Sequence, residues 1–496
     1  MSKYYLTTPI YYVNAQPHIG HVYTTVAADA LARWFRLQGR EVFFLTGTDE
    51  HGSKIENAAR EAGISPGEMA DRMSKNFRDL WVAMEIKPDR FIRTTEPEHQ
   101  RVVQRVFLEL SARGDIYPGV YEGYYCFACE AFLTPSQGSL CPDCGRETEK
   151  ISEPTYFFRL SRYQEPIRAY FQAHPEMIQP ERAREEVSNL LNQPLPDVSC
   201  TRRCAWGIPL PAEMAADPEL TIYVWFDALL NYLSGVDYGQ EDGRFKKTWP
   251  PDIQLLGKDI IRFHYIIWPA LLLALGLPLP EKLFAHGWWL SGGEKMSKSR
   301  GNVVEPMEFA RTYGVDALRY FLLAEVPFGL DGDFNEAAFR KRYNSDLAND
   351  LGNLVHRFAH LIRTRHQGRV PEAGDGGRLA EKVLAALPQL DERMAAVDFF
   401  GFLETARTVV TAANHYLDET APWRPENNSG PVLYNLAETA RLLSLCLEPV
   451  MPRTSGLIRS RLGLEKLPAD SNGLRWGLTP AGAAVGEGAP LFPRLK

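Results

Sequence analysis

Two short runs of basic residues in this sequence could bind phosphate groups. Near the start, Pro17-His18-Ile19-Gly20-His21 places two histidines three residues apart around a glycine. Much later, Lys295-Met296-Ser297-Lys298-Ser299 follows a pair of glycines. Imidazole and ammonium groups stabilise charge that develops on phosphate oxygens, and a glycine lets a nucleotide approach the backbone. The simpler interpretations are a surface or metal-binding histidine pair and a solvated basic loop.

The first run lies between elements typical of a nucleotide-binding fold. Residues 4–13 are rich in aromatic and β-branched side chains, which predicts a buried strand. Apolar residues then recur every four positions from Val22 to Trp34, which predicts an amphipathic helix. A second strand is expected at 41–45. Strand, helix and strand in this order predict a right-handed parallel unit that binds ligands at the carboxyl ends of its strands.

Four of the cysteines form two close pairs, in Cys126-Phe127-Ala128-Cys129 and Cys141-Pro142-Asp143-Cys144. Two such knuckles at this separation can supply four thiolates to one tetrahedral Zn²⁺. A site with four sulfur ligands has no position for water, so we expect this zinc to be structural. Cys200 and Cys204 have no further ligand pair nearby and are expected to be buried free thiols, and Cys446, within an apolar stretch, is expected to be a core residue.

The two basic runs, in this order and far apart, resemble the two signatures of the class I aminoacyl-tRNA synthetases. Further segments, spread through essentially the whole chain, resemble the methionyl-tRNA synthetase family within that class. They are Thr8-Pro9-Ile10-Tyr11-Tyr12-Val13-Asn14, Thr46-Gly47-Thr48-Asp49-Glu50-His51-Gly52, Trp206-Gly207-Ile208-Pro209, Tyr223-Val224-Trp225-Phe226-Asp227-Ala228 and Gly257-Lys258-Asp259-Ile260. We expect the Tyr223 segment to be a buried strand ending in a loop, and the Gly257 segment to precede a helix.

The resemblance implies the residues that bind each substrate. The expected methionine pocket contains Ile10, Tyr12, Asp49, Trp225, Ala228, Tyr232, Ile260 and His264. Asp49 would hold the ammonium group, and Tyr12 or His264 could donate a hydrogen bond to the sulfur. The expected ATP site contains His18, Gly20, His21, Gly257, Asp259, Lys295 and Lys298, with Asp259 at the ribose hydroxyls. Ordinary core packing is the simpler interpretation of the aromatic residues.

The implied reaction is that of a methionine–tRNA ligase, with two steps. Methionine first reacts with ATP and Mg²⁺ to give methionyl-adenylate and pyrophosphate, with His18, His21, Lys295 and Lys298 as the catalytic residues. The methionyl group then passes to the 3′ end of tRNA(Met), for translation initiation and elongation. The sequence identifies no residue that must act as a general base.

From about Phe334 the pattern becomes helical, with apolar residues at three- or four-residue spacing. Basic residues predominate between Arg340 and Arg369, which predicts a local basic face. Unpaired RNA bases are read by stacking and by hydrogen bonds to their edges. The resemblance implies an anticodon-binding helical bundle in which Asn353, Arg357 and Trp423 contact the anticodon. Packing of Trp423 and solvation of Arg357 are the alternatives.

Composition sets limits on these interpretations. The 496 residues are 45% hydrophobic and 24% charged, which excludes collagen-like, disordered and disulfide-scaffold proteins. The net charge of −7 argues against indiscriminate coating of nucleic acid. We find no secretory signal or membrane segment and expect a cytoplasmic protein. The absence of an appended barrel module after Trp476 leads us to expect a monomer.

We therefore expect an α/β fold, namely a Rossmann-type parallel-sheet catalytic domain, split by a zinc-binding insertion and followed by an all-α helical bundle. The expected boundaries are 1–115 and 216–294 for the two halves of the catalytic domain, 116–215 for the insertion, 295–345 for the signature loop and stem-contact region, 346–480 for the helical domain and 481–496 for a tail. Three rival functions remain, namely another class I synthetase, a nucleotidyltransferase that does not use tRNA, and a non-catalytic tRNA-binding protein.

Overall fold

The first part of the chain alternates strands and helices, as predicted. The structure, a computed structural model, describes residues 2–126, 130–133, 139–141, 145–214, 217–241, 243–296 and 304–496, apart from the side chains of Ala131, Phe132 and Lys295. Its first elements are β1 (Lys3–Tyr12), α1 (Ile19–Leu37), β2 (Glu41–Asp49), α2 (Ser53–Ala62), α3 (Pro66–Ala83), β3 (Arg90–Arg93) and α4 (Pro97–Ala112). The predicted second strand continues past Leu45 to Asp49.

A group of mostly short strands follows, within the range expected to be the insertion. Its elements are β4 (Ile116–Cys126), β5 (Ala131–Leu133), β6 (Glu149–Phe158), α5 (Leu160–Ala173), β7 (Ile178–Gln179), α6 (Glu181–Leu191), β8 (Val198–Ser199), β9 (Thr201–Arg203), β10 (Ile208–Pro209) and β11 (Leu220–Ile222). Strands β5, β4, β6 and β8 form one antiparallel sheet, and β10, β11 and β9 form another. Strand β7 belongs instead to the central sheet.

The chain then returns to the central sheet. The next elements are α7 (Val224–Leu229), α8 (Asn231–Ser234), α9 (Phe245–Thr248), β12 (Ile253–Gly257), α10 (Trp268–Leu275), β13 (Leu283–His286), β14 (Trp289–Ser291) and β15 (Glu294–Lys295). A 3₁₀ turn at Lys258–Ile260 and a π-helical turn at Phe263–Ile267 connect β12 to α10. Helix α10 is buried along almost its whole length and is a core helix of the sheet.

The central sheet has the strand order β3-β2-β1-β12-β13-β7, and all of its strands are parallel. The chain order runs outward from β1 in one direction and from β12 in the other. Neighbouring loops therefore leave in opposite directions between β1 and β12, which opens a crevice at the carboxyl ends of these strands. The sheet thus positions a ligand site between the residues that follow β1 and those that follow β12.

The prediction of a buried strand at Tyr223–Ala228 is wrong. The strand, β11, ends at Ile222, and α7 begins at Val224. Strand β11 also lies outside the central sheet. Local propensity favours a strand for aromatic and β-branched residues, but tertiary contacts decide here. The helical turn buries Phe226 and Leu229 together and directs Asp227 toward two buried histidines.

The remainder is mainly helical, as expected. Its elements are α11 (Pro306–Tyr313), α12 (Val315–Ala324), β16 (Gly332–Asp333), α13 (Glu336–Arg342), α14 (Asn353–Arg365), α15 (Gly377–Ala395), α16 (Phe399–Thr420), α17 (Ser429–Leu447) and α18 (Pro452–Arg461). A π-helical segment, Tyr343–Gly352, joins α13 to α14. The apolar residues of the predicted periodicity, Phe339, Tyr343, Leu347, Leu351 and Phe358, are all buried. Across the described ranges, no helix is both long and apolar enough to cross a membrane.

Candidate active site

The junction of β1 and α1 places the first pair of histidines at the amino end of a long helix. His18 is the N-cap residue, and its Nδ1 accepts a hydrogen bond from the Gly20 N–H at 3.1 Å. The backbone N–H of His18 donates to Nδ1 of His21 at 3.1 Å, and the two rings stack with centroids 3.9 Å apart. Because both Nδ1 atoms accept, each neutral ring carries its proton on Nε2. Both histidines can therefore donate an Nε2–H at a helix end that favours anions.

Gly20 is required by the same arrangement. A Cβ at this position would lie 2.9 Å from Cε1 of His18. A side chain would therefore displace the His18 ring from the helix end. We expected Gly20 to let a nucleotide approach the backbone. In this structure, the absence of a side chain at Gly20 also makes room for the ring of His18, which caps the helix.

The second basic run begins beside the carboxyl edge of the sheet. Lys295 ends β15, which pairs with β14. The preceding strand β13 ends at His286, whose Nε2 lies 2.7 Å from the Thr24 hydroxyl of α1. Residues 297–303, which include Lys298, lie outside the described residues.

Gly257 and Asp259 lie where β12 ends, across the crevice from His18. Asp259 is exposed, and its Oδ1 accepts a hydrogen bond from Nε1 of Trp288 at 3.2 Å. A Cβ on Gly257 would lie 2.6 Å from the same oxygen. The absence of a side chain at Gly257 therefore lets Asp259 turn back over the end of the strand.

Aromatic rings pack together near the end of β1, where the methionine pocket is expected. The ring of Trp225 stacks on Phe263 with centroids 3.7 Å apart and planes 9° apart, and Tyr12 meets Trp225 edge-on at 6.0 Å. The Tyr12 hydroxyl is buried and has no hydrogen-bond partner within the described part of the chain. The structure thus brings Tyr12 and Trp225 together, and it adds Phe263, which was not among the predicted pocket residues.

Tyr232 and His264 form a hydrogen-bonded pair that is also expected in the methionine pocket. The Tyr232 hydroxyl lies 2.8 Å from Nε2 of His264, and Nδ1 of His264 lies 3.1 Å from the carbonyl oxygen of Ile260. A carbonyl can only accept, so Nδ1 carries the proton, and Nε2 accepts from Tyr232. Burial lowers the pKa of His264 to about 4, which keeps the ring neutral. Both ring nitrogens are engaged, which leaves Tyr12 as the better donor to a sulfur atom.

The smaller predicted pocket residues lie beside these rings. Ile10 pairs with Gly47 across β1 and β2 and packs, like Ile260, against the core under the sheet. Ala228 is buried one turn after Trp225 on α7.

Asp49 ends β2 directly opposite Tyr12 in the strand register. It is 2% exposed, and its Oδ1 has no hydrogen-bond partner among the described residues. Burial, with the nearby charges of Asp227 and Glu130, raises the pKa of Asp49 well above its usual value. An arriving cation would remove this penalty, so Asp49 is a candidate for binding an ammonium group.

Asp227 is equally buried but fully paired. Its two carboxylate oxygens lie 2.7 Å from Nδ1 of His51 and 2.5 Å from Nε2 of His99. Burial alone would raise the pKa of Asp227, but His51 and His99 hold it below its usual value. His99 is held in turn by the Ser234 hydroxyl at 2.7 Å. These contacts fix α7, and with it Trp225 and Ala228, beside the end of β2.

The chain matches known proteins over its whole length. The family model for class I tRNA synthetases (M) matches residues 4–153 and 146–359. A methionine–tRNA ligase of Caldanaerobacter subterraneus subsp. tengcongensis is 48% identical, over 99% of this chain and 79% of that protein. The methionine–tRNA ligase of Thermotoga maritima is 42% identical, over 99% of this chain and 80% of that protein. The chain belongs to the methionyl-tRNA synthetase family.

Solved structures agree with this membership. A methionyl-tRNA synthetase of Mycobacterium tuberculosis in complex with methionyl-adenylate superposes with a TM-score of 0.95, at 38% identity, over 100% of both chains. The chain is thus a class I methionine–tRNA ligase, with the Rossmann-like sheet and helical region expected from its sequence. The structure of the apo M. tuberculosis enzyme superposes with a TM-score of 0.88, at 35% identity.

The predicted zinc knuckles of this methionyl-tRNA synthetase are described only in part. Cys126 ends β4, and it packs with Cys141, Leu133 and Tyr124 in one small buried cluster. The N–H of Gly145 donates to the carbonyl oxygen of Cys141 at 2.8 Å. Cys129 and Cys144 lie outside the described residues. Among the residues with described positions, no group of three or more metal-binding side chains is found.

The other three cysteines are free thiols, as expected for Cys200 and Cys446, which are buried. Cys204 is half-buried. Burial raises the pKa of the Cys446 thiol to about 12 and that of Cys204 to about 11. Protonated thiols with such values are poor nucleophiles and poor metal ligands at neutral pH.

The helical region brings two of its three predicted RNA contacts together. The Arg357 guanidinium lies 5.5 Å from the ring centroid of Trp423, which is 39% exposed. Asn353 is exposed one turn before Arg357 on α14. Arg357 also forms an ion pair with Asp418 at 2.6 Å, and Arg365 donates to the carbonyl oxygen of Trp423. The prolines around Trp423 follow the end of α16 and leave the ring at the surface.

The predicted basic face is more neutral than its sequence suggests. Its arginines contact acids or carbonyl groups, in the pairs Arg340–Glu336, Arg342–Glu325, Arg357–Asp418, Arg363–Glu487 and Arg369 with the Gly482 carbonyl. Acids distant in sequence, which a local count of charge omits, supply several of these partners.

Sequence reasoning missed residues that shape the site rather than form its named motifs. Phe263, which stacks on Trp225, is not among the predicted pocket residues. Asp227 and His51 stood in quoted segments without a role. His99 and Glu130 carried no local signal, because their importance depends on contacts with residues far away in the chain.

Proposed function

We propose that this methionine–tRNA ligase activates L-methionine with ATP and transfers the methionyl group to tRNA(Met), for translation initiation and elongation. The observation that carries the proposal is the cluster of side chains at the ends of β1 and β2. It combines stacked aromatic rings with the buried Oδ1 of Asp49, which has no hydrogen-bond partner among the described residues, and it lies in the same region as the stacked pair His18 and His21. The complex of the M. tuberculosis relative with methionyl-adenylate supports the same substrates here.

The pocket suits the methionine side chain. Trp225, Phe263 and Tyr12 offer ring faces and edges, which make favourable contacts with a thioether sulfur. The Tyr12 hydroxyl can donate a hydrogen bond that the sulfur accepts but that a leucine or isoleucine side chain cannot. Ile10, Tyr232, Ala228, Ile260 and His264 complete the pocket, and Asp49 binds the ammonium group.

In the first step, an oxygen of the methionine carboxylate bonds to the α-phosphorus of ATP, and the bond to the β-phosphate oxygen breaks. Pyrophosphate leaves with the electron pair. The Nε2–H groups of His18 and His21, with Lys295 and Lys298, stabilise the charge on the phosphate oxygens. Gly257 and Asp259 hold the nucleoside. Mg²⁺ accompanies ATP and supplies further positive charge.

In the second step, a ribose hydroxyl at the 3′ end of the tRNA attacks the carbonyl carbon of the adenylate, the bond from that carbon to the phosphate oxygen breaks, AMP leaves with the electron pair, and the hydroxyl proton is released to solvent. Positioning and electrostatics supply the catalysis in both steps, since the protein forms no covalent bond to either substrate. The helical region holds the tRNA at a distance from the pocket, where Asn353, Arg357 and Trp423 contact the anticodon bases.

Methionine-dependent exchange of pyrophosphate into ATP tests the function. We expect exchange with methionine to exceed exchange with isoleucine, leucine or cysteine by more than about a hundredfold. Lys298→Ala should reduce the rate by at least about a hundredfold with the fold intact, because one positioned charge on the phosphates is lost. Lys246→Ala, at an exposed position on α9, is the matched control. Exchange that is faster with another amino acid would contradict the assignment.

We also propose that Cys126, Cys129, Cys141 and Cys144 hold one structural Zn²⁺. The burial of Cys126 and Cys141 in one cluster supports this donor set. Native mass spectrometry should find one zinc per chain, and Cys126→Ser should lose it, whereas Cys204→Ser should keep it. A wild-type chain without zinc would contradict the proposal. The same spectra test the expected monomer.

The anticodon contacts are tested separately from the chemistry. Trp423→Ala should raise the KM for tRNA by about tenfold or more, since stacking of one base on an aromatic ring contributes about 1–3 kcal/mol. Pyrophosphate exchange, which needs no tRNA, should be unchanged. Trp423→Phe keeps a ring and should retain most of the affinity. An unchanged KM for Trp423→Ala would remove this residue from the interface.

A further inference from the structure

One buried acid near the methionine pocket comes from the knuckle-bearing insertion. Glu130 follows Cys129 in the sequence and is 1% exposed. Its backbone has a φ of 50°, a left-handed conformation that is uncommon for a residue with a side chain. The hydroxyl of Tyr223 donates to its carbonyl oxygen. Such a conformation persists only where surrounding contacts hold it, and it is found often at functional sites.

The Glu130 side chain reaches the turn that follows Asp49. Its Oε1 accepts from the hydroxyl of Ser53 at 2.9 Å and from the backbone N–H of Lys54 at 3.0 Å. Helix α2 has no capping side chain of its own, so Glu130 supplies the cap from another part of the chain. A Cβ on Gly52 would lie 2.6 Å from Oε1, so the glycine of the turn is needed for this contact.

The second oxygen of Glu130 is the unusual one. Oε2 is buried and has no hydrogen-bond partner among the residues that the structure describes. The contacts with Ser53 and Lys54 place the Glu130 carboxylate beside the turn that follows Asp49, and its negative charge there contributes to the raised pKa of both Tyr12 and Asp49. Asp49 has an unpaired buried oxygen as well. Two buried acceptors without partners are costly, unless a cation completes the site.

The charges already present do not complete it. The histidine partners His51 and His99 are engaged by Asp227. The Lys54 ammonium lies over the ring of Tyr12, at 4.4 Å from its centroid, and its charge lowers the pKa of Asp49, but burial and the neighbouring acids outweigh it, so that this pKa stays raised. The missing positive group is therefore of the kind that an amino-acid substrate carries.

We propose that Glu130 is a positioning residue for methionine binding, which holds the turn after Asp49 through Oε1 and adds its charge to that of Asp49 in attracting the substrate ammonium group. The proposal rests on the function proposed above. It makes the insertion a contributor to amino-acid recognition. In this proposal, Oε1 of Glu130 has a structural role, and Oε2 has an electrostatic role.

Substitutions of Glu130 separate these two roles. Glu130→Gln keeps an acceptor for Ser53 and Lys54 but removes the charge, whereas Glu130→Ala removes both. Glu130→Asp keeps the charge on a shorter side chain. Glu122→Gln, at an exposed position of β4, is the matched control. Thermal unfolding of each variant reports whether the cap is kept.

The probes are two methionine analogues whose binding is measured by calorimetry. L-Methioninol keeps the ammonium group and lacks the carboxylate, whereas 4-(methylthio)butanoate lacks the ammonium group. We expect Glu130→Gln to weaken methioninol by about tenfold, the usual effect of losing one charge-assisted contact, and to leave 4-(methylthio)butanoate unchanged or tighter. Glu130→Asp should recover part of the methioninol affinity.

The outcomes are distinguishable. Equal weakening of both analogues by Glu130→Gln, or no weakening of either, would overturn the electrostatic role. If Glu130→Gln unfolds, the affinities of Glu130→Asp and wild type for the two analogues are compared instead. The electrostatic role again requires that the substitution change the two affinities unequally. If the wild-type protein shows no methionine-dependent exchange, the proposed function fails, independently of Glu130.

Discussion

Asp29 and Asp49 are both buried aspartates of the catalytic domain, and the chain surrounds them in opposite ways. Asp29, on α1, accepts from Nε of Arg33 and from Nη2 of Arg319, both at 2.7 Å, and from the backbone N–H of Lys87 at 2.9 Å. Asp49 has an unpaired oxygen in the described structure and acidic neighbours. The first is compensated in full, and the second is left short of positive charge.

The partners of Asp29 extend into the helical region. Arg319, on α12, also donates to backbone carbonyls of distant segments, namely those of Val450, Met84 and Pro449. Arg33 reaches Glu448 at 2.7 Å. This cluster therefore joins α1 to the residues that directly follow α17, as a fixed part of the structure.

The comparison separates structural from ligand-binding charge. Where the protein supplies both the negative and the positive side chain, their contacts hold structural elements together and leave no unbalanced charge for a ligand to neutralise. Where it supplies only one sign in a buried place, the cost is recovered when a substrate of the opposite sign binds. The predictions below test this distinction, beginning with the largest effect.

Asp29→Asn should lower the free energy of unfolding by about 3–5 kcal/mol, because it leaves Arg319 buried without its anionic partner. The midpoint of urea unfolding measures the effect. Asp79→Asn, which removes an exposed ion pair with Lys75, should produce no measurable change. A loss for Asp29→Asn no larger than that of the control would contradict the structural role.

Asp49→Asn should lower kcat/KM for methionine in the exchange assay by about 30- to 1,000-fold, because a buried charge pair with the substrate is lost. This factor corresponds to a free-energy change of about 2–4 kcal/mol. Unlike Asp29→Asn, it should not destabilise the fold at neutral pH. Glu61→Gln, at an exposed position on α2, serves as control. An Asp49→Asn variant that unfolds more easily and binds methionine normally would reverse the comparison.

The two aspartates should respond oppositely to pH. The raised pKa of Asp49 means that the folded chain binds this proton more tightly than the unfolded chain, so stability is lost as pH rises from the unfolded value of 3.8. Arg319 and Arg33 overcome burial and lower the pKa of Asp29, so its contribution is present above 3.8 and lost below it.

Urea unfolding between about pH 5 and pH 8 checks these signs. The free energy of unfolding of Asp49→Asn should exceed that of wild type, and this difference should increase with pH or stay constant at its maximum. The stability lost in Asp29→Asn should remain constant over the same range. A gain for Asp49→Asn that disappears as pH rises would contradict the raised pKa.

The smallest effect is expected at the neutral polar pair of the pocket. Tyr232→Phe removes the donor to Nε2 of His264 and should cost about 1 kcal/mol of stability. The KM for methionine should rise only a few-fold, since no charge is lost. Tyr170→Phe, at a half-buried position on α5, is a suitable control. A loss of kcat/KM for methionine as large as that of Asp49→Asn would show that the pair of Tyr232 and His264 binds substrate directly.

Much of the fold followed from local patterns. The strand, helix and strand around Pro17-His18-Ile19-Gly20-His21 were predicted because periodicity and end signals lie within one element. The apolar residues of the helical region, such as Phe339 and Phe358, were predicted in the same way. The error at Tyr223–Ala228 arose where local propensity and tertiary contacts disagree.

The sequence by itself determined the family, the order of the motifs and the chemical types available in the site. It could not determine which buried charges are balanced. Asp29 finds its partner at Arg319, and Glu130 reaches Ser53, across long stretches of chain. Only the tertiary structure decided these pairings, because burial and charge compensation depend on which distant groups meet, and electrostatic energy in a low-dielectric interior depends strongly on those distances.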